Sequence, residues 1–175
     1  MILGDSVNAL TEVEKAYLAG LIDGEGCFYI AKQTMRETVT FTYTAQLIIT
    51  MTCQEVLERI RAITGAGALY FSPSRSEKLA HQYRWVVTNR SDLGRLIRDL
   101  LPHFIVKLAE AELVLKFLSV PHQQGYGPRS KPKWILNQEE HYYTTLMGLK
   151  TRGKGPSFIP ETPEPLIDPQ MRLFE

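Results

Sequence analysis

The run Leu18-Ala19-Gly20-Leu21-Ile22-Asp23-Gly24-Glu25-Gly26-Cys27-Phe28 restricts this chain more than any other stretch. It begins as an apolar helix and ends among glycines and acids that a plain core helix avoids. Ala16, Gly20 and Gly24 recur every four positions, so they share one helix face. With no bulky side chain on that face, a neighbouring helix backbone can approach closer than the usual 8–10 Å, roughly, between axes. Gly24 and Gly26 suit a backbone turn out of the helix into a strand. Glu25 then stands where the helix ends and a sheet begins. Two such helices packed side by side bring two carboxylates together, an arrangement that is repulsive unless a cation sits between them. Hard oxygen ligands of this kind suit Mg²⁺, which keeps several waters and binds substrate phosphate.

The flanking pattern sets the element order. Thr11 and Glu14 have capping-box spacing and open a helix that runs through Tyr17, Leu18, Leu21 and Ile22. From Thr38 to Ile49 the period changes to two. Thr38, Thr40, Thr42, Thr44 and Gln46 lie on one side, and Val39, Phe41, Tyr43, Ala45, Leu47 and Ile49 on the other. Residues 27–33 read as the hairpin partner across a turn at 35–37, with Tyr29, Ala31 and Gln33 sharing a side. Thr52 and Glu55 repeat the capping-box spacing before Val56, Leu57, Ile60 and Ile63, and Gly65 and Gly67 end that helix. Strands are expected at 68–72 and 82–89, helices at 91–100 and 105–120, and a last helix at 137–150. Prolines 156, 160, 163, 165 and 169 make 155–175 an extended tail, so 1–154 is expected to be one domain.

Composition narrows the partners. Net charge is only +1, but residues 27–154 hold 18 basic and 10 acidic side chains between acidic ends. A middle segment with that excess suits a phosphate backbone, although a solvated mixed surface has the same composition. No run of about 18 apolar residues and no secretory leader is present, and Cys27 and Cys53 have neither disulfide nor zinc spacing. The expected compartment is intracellular, a bacterial cytoplasm or an organelle matrix, with both cysteines buried thiols.

Residues 18–26 resemble the signature of the LAGLIDADG homing endonucleases, departing from the name sequence only at Gly24 and Glu25. The resemblance implies an α+β fold with an αββαββα core, a curved antiparallel sheet and C-terminal helices. A single motif in a short chain implies a homodimer joined through the motif helix, at Ala16, Gly20, Leu21 and Gly24. It implies Mg²⁺ bound by Glu25 and the Gly24 carbonyl, with Asp23 supporting helix ends. Residues 103–115, HFIVKLAEAELVL, resemble the segment that places a catalytic lysine beside the scissile phosphate, which falls on Lys107. Met51 stands where many members carry a glutamine that organises water, with Thr52 or Gln54 as substitutes.

The family's sheet lies in the major groove of double-stranded DNA. That implies base contacts from Tyr29, Gln33, Thr40, Thr42, Thr44, Gln46, Tyr70, Ser72, Arg75, Gln82 and Arg84, since hydroxyls and amides read base edges. Arg129, Lys131, Lys133, Lys150, Arg152 and Lys154 are the expected phosphate contacts. Trp85 is expected in the core, with Trp134 anchoring the last helix. The implied activity is metal-dependent cutting of both strands at a long, near-palindromic site, from a gene carried in an intron or intein. An RNA maturase and a cleavage-inactive DNA-binding regulator are the alternatives.

Overall fold

A computed structural model describes residues 9–34, 41–74, 80–121 and 131–151. The helix α1 spans Glu12–Glu25 and opens with the expected capping box. Thr11 Oγ1 accepts from the Glu14 amide at 3.3 Å, and the Glu14 carboxylate accepts from the Thr11 amide at 2.9 Å. Strands β1 (Gly26–Thr34) and β2 (Phe41–Met51) follow, then α2 (Gln54–Thr64), β3 (Ala68–Ser72), β4 (Gln82–Val87) and α3 (Arg90–Leu100). A 3-10 turn at Leu101–His103 leads to α4 (Leu108–Ser119), and α5 spans Lys133–Thr151. The four strands form one antiparallel sheet in the order β1-β2-β4-β3.

Alternation along the strands gives the sheet two unlike faces. Phe28, Ile30, Tyr43, Ala45, Leu47, Ile49, Trp85 and Val87 point into the core. They pack with Leu18 and Ile22 of α1, Leu57 and Ile60 of α2, and Leu93, Leu96 and Ile97 of α3. Val114 and Phe117 of α4 and Ile135 and Leu146 of α5 complete the layer. Trp85 is fully buried and donates its indole N–H to the Ala66 carbonyl at 2.9 Å. Gly67, at φ 81°, makes room for that ring, because a Cβ there would lie 2.5 Å from Trp85 Nε1. Trp134 packs partly buried against the core, as an anchor for α5 should. Arg90 closes the other end of this layer, donating to the Leu118 and Val120 carbonyls at 2.8 and 3.1 Å and so capping α4.

Several local expectations are corrected, each for a physical reason. The strand β2 stays paired as far as Met51, opposite Tyr83, so the Thr52 capping box does not form and Cys53 becomes the helix cap. The helix α4 starts at Leu108 rather than 105, because the amides of residues 105–107 bond to Asp23 instead. The strand β4 stops at Val87, since Asn89 is taken up as the cap of α3, its Oδ1 accepting from Ser91 and Asp92. The helix α5 begins at Lys133, right after Pro132, and so takes in Trp134 and Ile135. Neither Gly24 nor Gly26 adopts a left-handed conformation: Gly24 is helical, and Gly26 is extended at φ −79°. Gly26 is required by space instead, because a Cβ would stand 2.7 Å from the Ile22 carbonyl oxygen. Both cysteines are exposed, since Cys27 alternates outward beside buried Phe28 and Cys53 caps α2 after the bend at Thr52. The tail 155–175, the turn at 35–37, and the candidates Thr40, Arg75, Arg129, Arg152 and Lys154 lie outside the described residues.

Candidate active site and nucleic-acid interface

The motif helix divides its circumference between two tasks. Leu18, Ala19 and Ile22 are fully buried on one side. On the opposite side Ala16, Gly20 and Gly24 are exposed, and no atom lies within 4 Å of a Cβ built on either glycine. Leu21 is half-buried at the border. This bare face ends at Glu25, the last residue of α1, whose side chain is exposed.

Asp23 fastens a second segment to that end of the helix. Its Oδ2 accepts from the amides of Ile105 and Val106 at 2.8 and 3.1 Å, and its Oδ1 from the amide of Lys107 at 2.9 Å. The Lys107 ammonium donates to the Asp23 backbone carbonyl at 2.5 Å. Lys107 is the cap residue of α4 and makes no side-chain cap bond, and Asp23 holds the three amides that lead up to that helix. The bonds between Asp23 and Lys107, 84 positions apart, thus bring the Lys107 cation to the end of α1 where Glu25 stands.

Two further ionisable groups adjoin this point. Glu110, in the first turn of α4, buries its Oε2 with no hydrogen-bond partner among the described residues. Burial pushes its pKa up, while Lys150 and Lys107 pull it down and Asp23 adds to the rise. Lys150 reaches over from α5 to the outer face of β1, 3.0 Å from Cys27 Sγ and 5.8 Å from the Tyr29 ring centre. Sequence reasoning missed Glu110, for which the only signal was its i+3 spacing from Lys107.

The outer face of the sheet collects the expected base-reading residues that are described. The register sets Tyr29 opposite Gln46, Gln33 opposite Thr42, Tyr70 opposite Arg84 and Ser72 opposite Gln82, while Thr44 faces Ala31. Thr50, opposite Arg84, belongs to the same face and was not among the expected residues. Met51 points the other way and packs against the core, so it takes no position on this surface. Lys131 is not available to a phosphate in the expected way. It is bonded at 2.5 Å to Glu139, a carboxylate only 2% exposed. Lys133, in contrast, is exposed.

The donor set at the end of α1 suits a hard divalent cation. Glu25 is a hard, accessible oxygen ligand, and Gly24 beside it has no side chain to block approach. Among the described residues no group of three or more His, Cys, Asp or Glu side chains converges.

A four-stranded antiparallel sheet with one polar outer face, backed by helices and led by a motif helix with one bare face, defines an α+β class. Residues 18–109 match the family model described as LAGLIDADG endonuclease, and the chain belongs to that family. No curated protein matches the sequence. Among solved structures it is similar to the homing endonuclease I-CvuI, crystallised in complex with the I-CreI target, at 22% identity and a TM-score of 0.66. That likeness covers 85% of this chain and 88% of the other. The archaeal intron-encoded homing endonuclease I-Vdi141I, complexed with DNA, is similar at 19% identity and a TM-score of 0.60, over 84% and 90% of the two chains. The meganuclease I-SmaMI matches at 19% identity and a TM-score of 0.58, but only 45% of its longer chain is covered. Among the described residues no helix is long and apolar enough to cross a membrane.

Proposed function

We propose that two copies of this chain pack through α1 and cut both strands of a long, near-palindromic DNA site by metal-dependent phosphodiester hydrolysis. The observation that carries this reading is a bare helix face that ends in exposed Glu25, two residues beyond the Asp23 that holds Lys107. A twofold axis along that face brings the second Glu25 to the first, and the symmetry of the protein sets the symmetry of the site. Length supports the single-motif, two-chain arrangement, since the chain covers 88% of I-CvuI and only 45% of I-SmaMI.

Glu25 and the Gly24 carbonyl of each copy would hold Mg²⁺, which would supply an activated water and charge neutralisation at the attacked phosphate. The chain's own residues do the rest. Lys107, held in place by Asp23, offsets the charge that builds on the phosphoryl oxygens. Thr42, Thr44, Gln46, Tyr29, Gln33, Tyr70, Ser72, Gln82 and Arg84 present hydroxyl, amide and guanidinium groups to base edges from one surface. Lys133 and Lys150 contact phosphates, which fixes register without reading sequence.

Cleavage of a plasmid library carrying randomised sites and the DNA flanking the chain's own gene tests this reading, with and without Mg²⁺. Wild type is expected to give discrete double-strand cuts only with the metal, and Glu25→Gln none. Cutting that persists in Glu25→Gln, or the absence of any metal-dependent cutting, overturns it.

A further inference from the structure

One row across the outer sheet face offers almost no hydrogen-bonding group. Cys27 pairs with Ile48, Ile48 with Val86, and Val86 with Ala68, so each of the four strands contributes one side chain to the row. Parity puts all four on the side away from the core, since Phe28, Leu47, Trp85 and Val87 beside them are buried. Ile48 and Val86 are half-buried without packing on the core, and Cys27 and Ala68 are exposed. The Cys27 thiol is engaged within the chain: it donates to the Phe28 carbonyl at 3.6 Å and accepts from the Lys150 ammonium at 3.0 Å. The rows on either side are polar. Tyr29 and Gln46 form one, and Thr50, Arg84 and Tyr70 the other.

Sheet geometry sets the scale. Strands stand about 4.8 Å apart, so a row across four of them measures about 14 Å, close to the width of the major groove, about 12 Å. Rows on the same face follow one another every two residues, about 6.7 Å, which is the rise of about two base pairs. The apolar row therefore crosses the groove over one such step, with hydrogen-bonding rows over the steps beside it. Donors and acceptors of a base edge find no partner on Ile48 and Val86. The thymine C5-methyl is the apolar group that the major groove presents.

We infer that Ile48, flanked by Val86 and Ala68, reads a thymine methyl in each half-site, at the step between those facing Tyr29–Gln46 and Thr50–Arg84–Tyr70. This rests on the endonuclease reading and adds to it the kind of base that one step demands. Cys27 lies two residues beyond Glu25, so the step is close to the cut. Lys150, at the Cys27 end of the row, bounds it on the phosphate side. A purely structural role for the row, as a cross-strand pair of β-branched side chains, is indifferent to the methyl of a base.

Uracil is thymine without the methyl, and this difference supplies the test. A site recovered from the randomised plasmid library is resynthesised with deoxyuridine in place of one thymine at a time, and affinity is measured by fluorescence anisotropy without Mg²⁺. Loss of one buried methyl is expected to weaken binding about fourfold, and loss of its twin in the other half-site as well about 15-fold. At the same position 5-methylcytosine binds more tightly than cytosine. In Ile48→Gln the ratio of thymine to uracil affinity falls to about one there, while uracil elsewhere acts as in wild type. If circular dichroism shows Ile48→Gln unfolded, Ile48→Ala takes its place, with the same fall in the ratio. A site that is cut but has no uracil-sensitive position overturns the inference, as does a methyl dependence that the Ile48 variant leaves intact. A chain that cuts no DNA overturns the endonuclease reading itself, and this inference with it.

Discussion

Replacing Asp23 by alanine separates two roles that the motif combines, holding the fold and delivering a lysine. The carboxylate accepts three amides, at 2.8, 3.1 and 2.9 Å, from a loop whose Lys107 ammonium also bonds the Asp23 carbonyl. Hydrogen bonds to a charged acceptor contribute roughly 1.5–3 kcal/mol each when buried. Two of these three are exposed, so their donors rehydrate when the acceptor is removed. A total of about 2–3 kcal/mol is therefore the expected loss, rather than the sum of three buried bonds. Urea denaturation of Asp23→Ala should show it as a lower midpoint with an unchanged slope. The second effect is local. Amide exchange at Ile105, Val106 and Lys107 should speed up far more than exchange in the strands. Single-turnover cleavage should fall about 100-fold or more, as removal of one preorganised charge-stabilising group does. Asp23→Asn should be intermediate, because one carbonyl oxygen still accepts while the amide group opposes a donor. Wild-type exchange at residues 105–107 together with wild-type cleavage in a folded Asp23→Ala would refute the claim that Asp23 positions Lys107.

Two glycines in the motif should respond in opposite ways. Gly20→Val leaves the single chain stable, since nothing lies within 4 Å of the new Cβ, but blocks dimer formation and cleavage; Gly26→Ala lowers the melting temperature, because its Cβ meets Ile22. Thermal unfolding and sedimentation read the two effects apart. Bonds from Lys32 and then Tyr43 hold the Glu140 carboxyl below the usual carboxylate range. A lowered carboxyl stabilises the fold above its unfolded pKa and loses that contribution as pH falls through its folded pKa. Docking of α5 on the sheet should therefore weaken below about pH 4.5, a loss that Glu140→Gln removes from the pH–stability curve. Glu110 has the opposite sign. Burial raises its pKa, so its stability is greatest below the unfolded value and declines as pH rises through the folded one. Glu110→Gln should be more stable than wild type at pH 7, on the order of 1 kcal/mol, and a Gln variant no more stable than wild type would contradict this.

How much of this was legible in the sequence depended on whether the responsible forces were local. The alternation Phe41–Ile49 and the capping box at Thr11 act within a few residues, and both elements stand as read. The outer sheet face followed from alternation alone, because a one-residue shift would expose Leu47 and Ile49. What escaped notice depends on distant partners. The late start of α4 is caused by Asp23, 84 positions from Lys107, and no local propensity announces it. Lys131 looked like a surface cation, and only the fold shows Glu139 buried beneath it. The cysteines were read as buried from residue type, whereas strand parity sends Cys27 outward beside Phe28. Gly24 leaves a face bare as its spacing implied, but the turn also assigned to Gly24 and Gly26 does not form: Gly24 stays helical and Gly26 fits beneath Ile22.

The central claim is that two Glu25 side chains, one from each copy, make a single cutting site. Mixing wild type with Glu25→Gln at fixed total concentration measures it directly, after subunit exchange, by counting double-strand cuts. If both carboxylates are needed, activity falls as the square of the wild-type fraction, to about one quarter in an equal mixture with random pairing. A linear fall, with half the activity left in that mixture, would contradict the account by showing that one chain cuts alone.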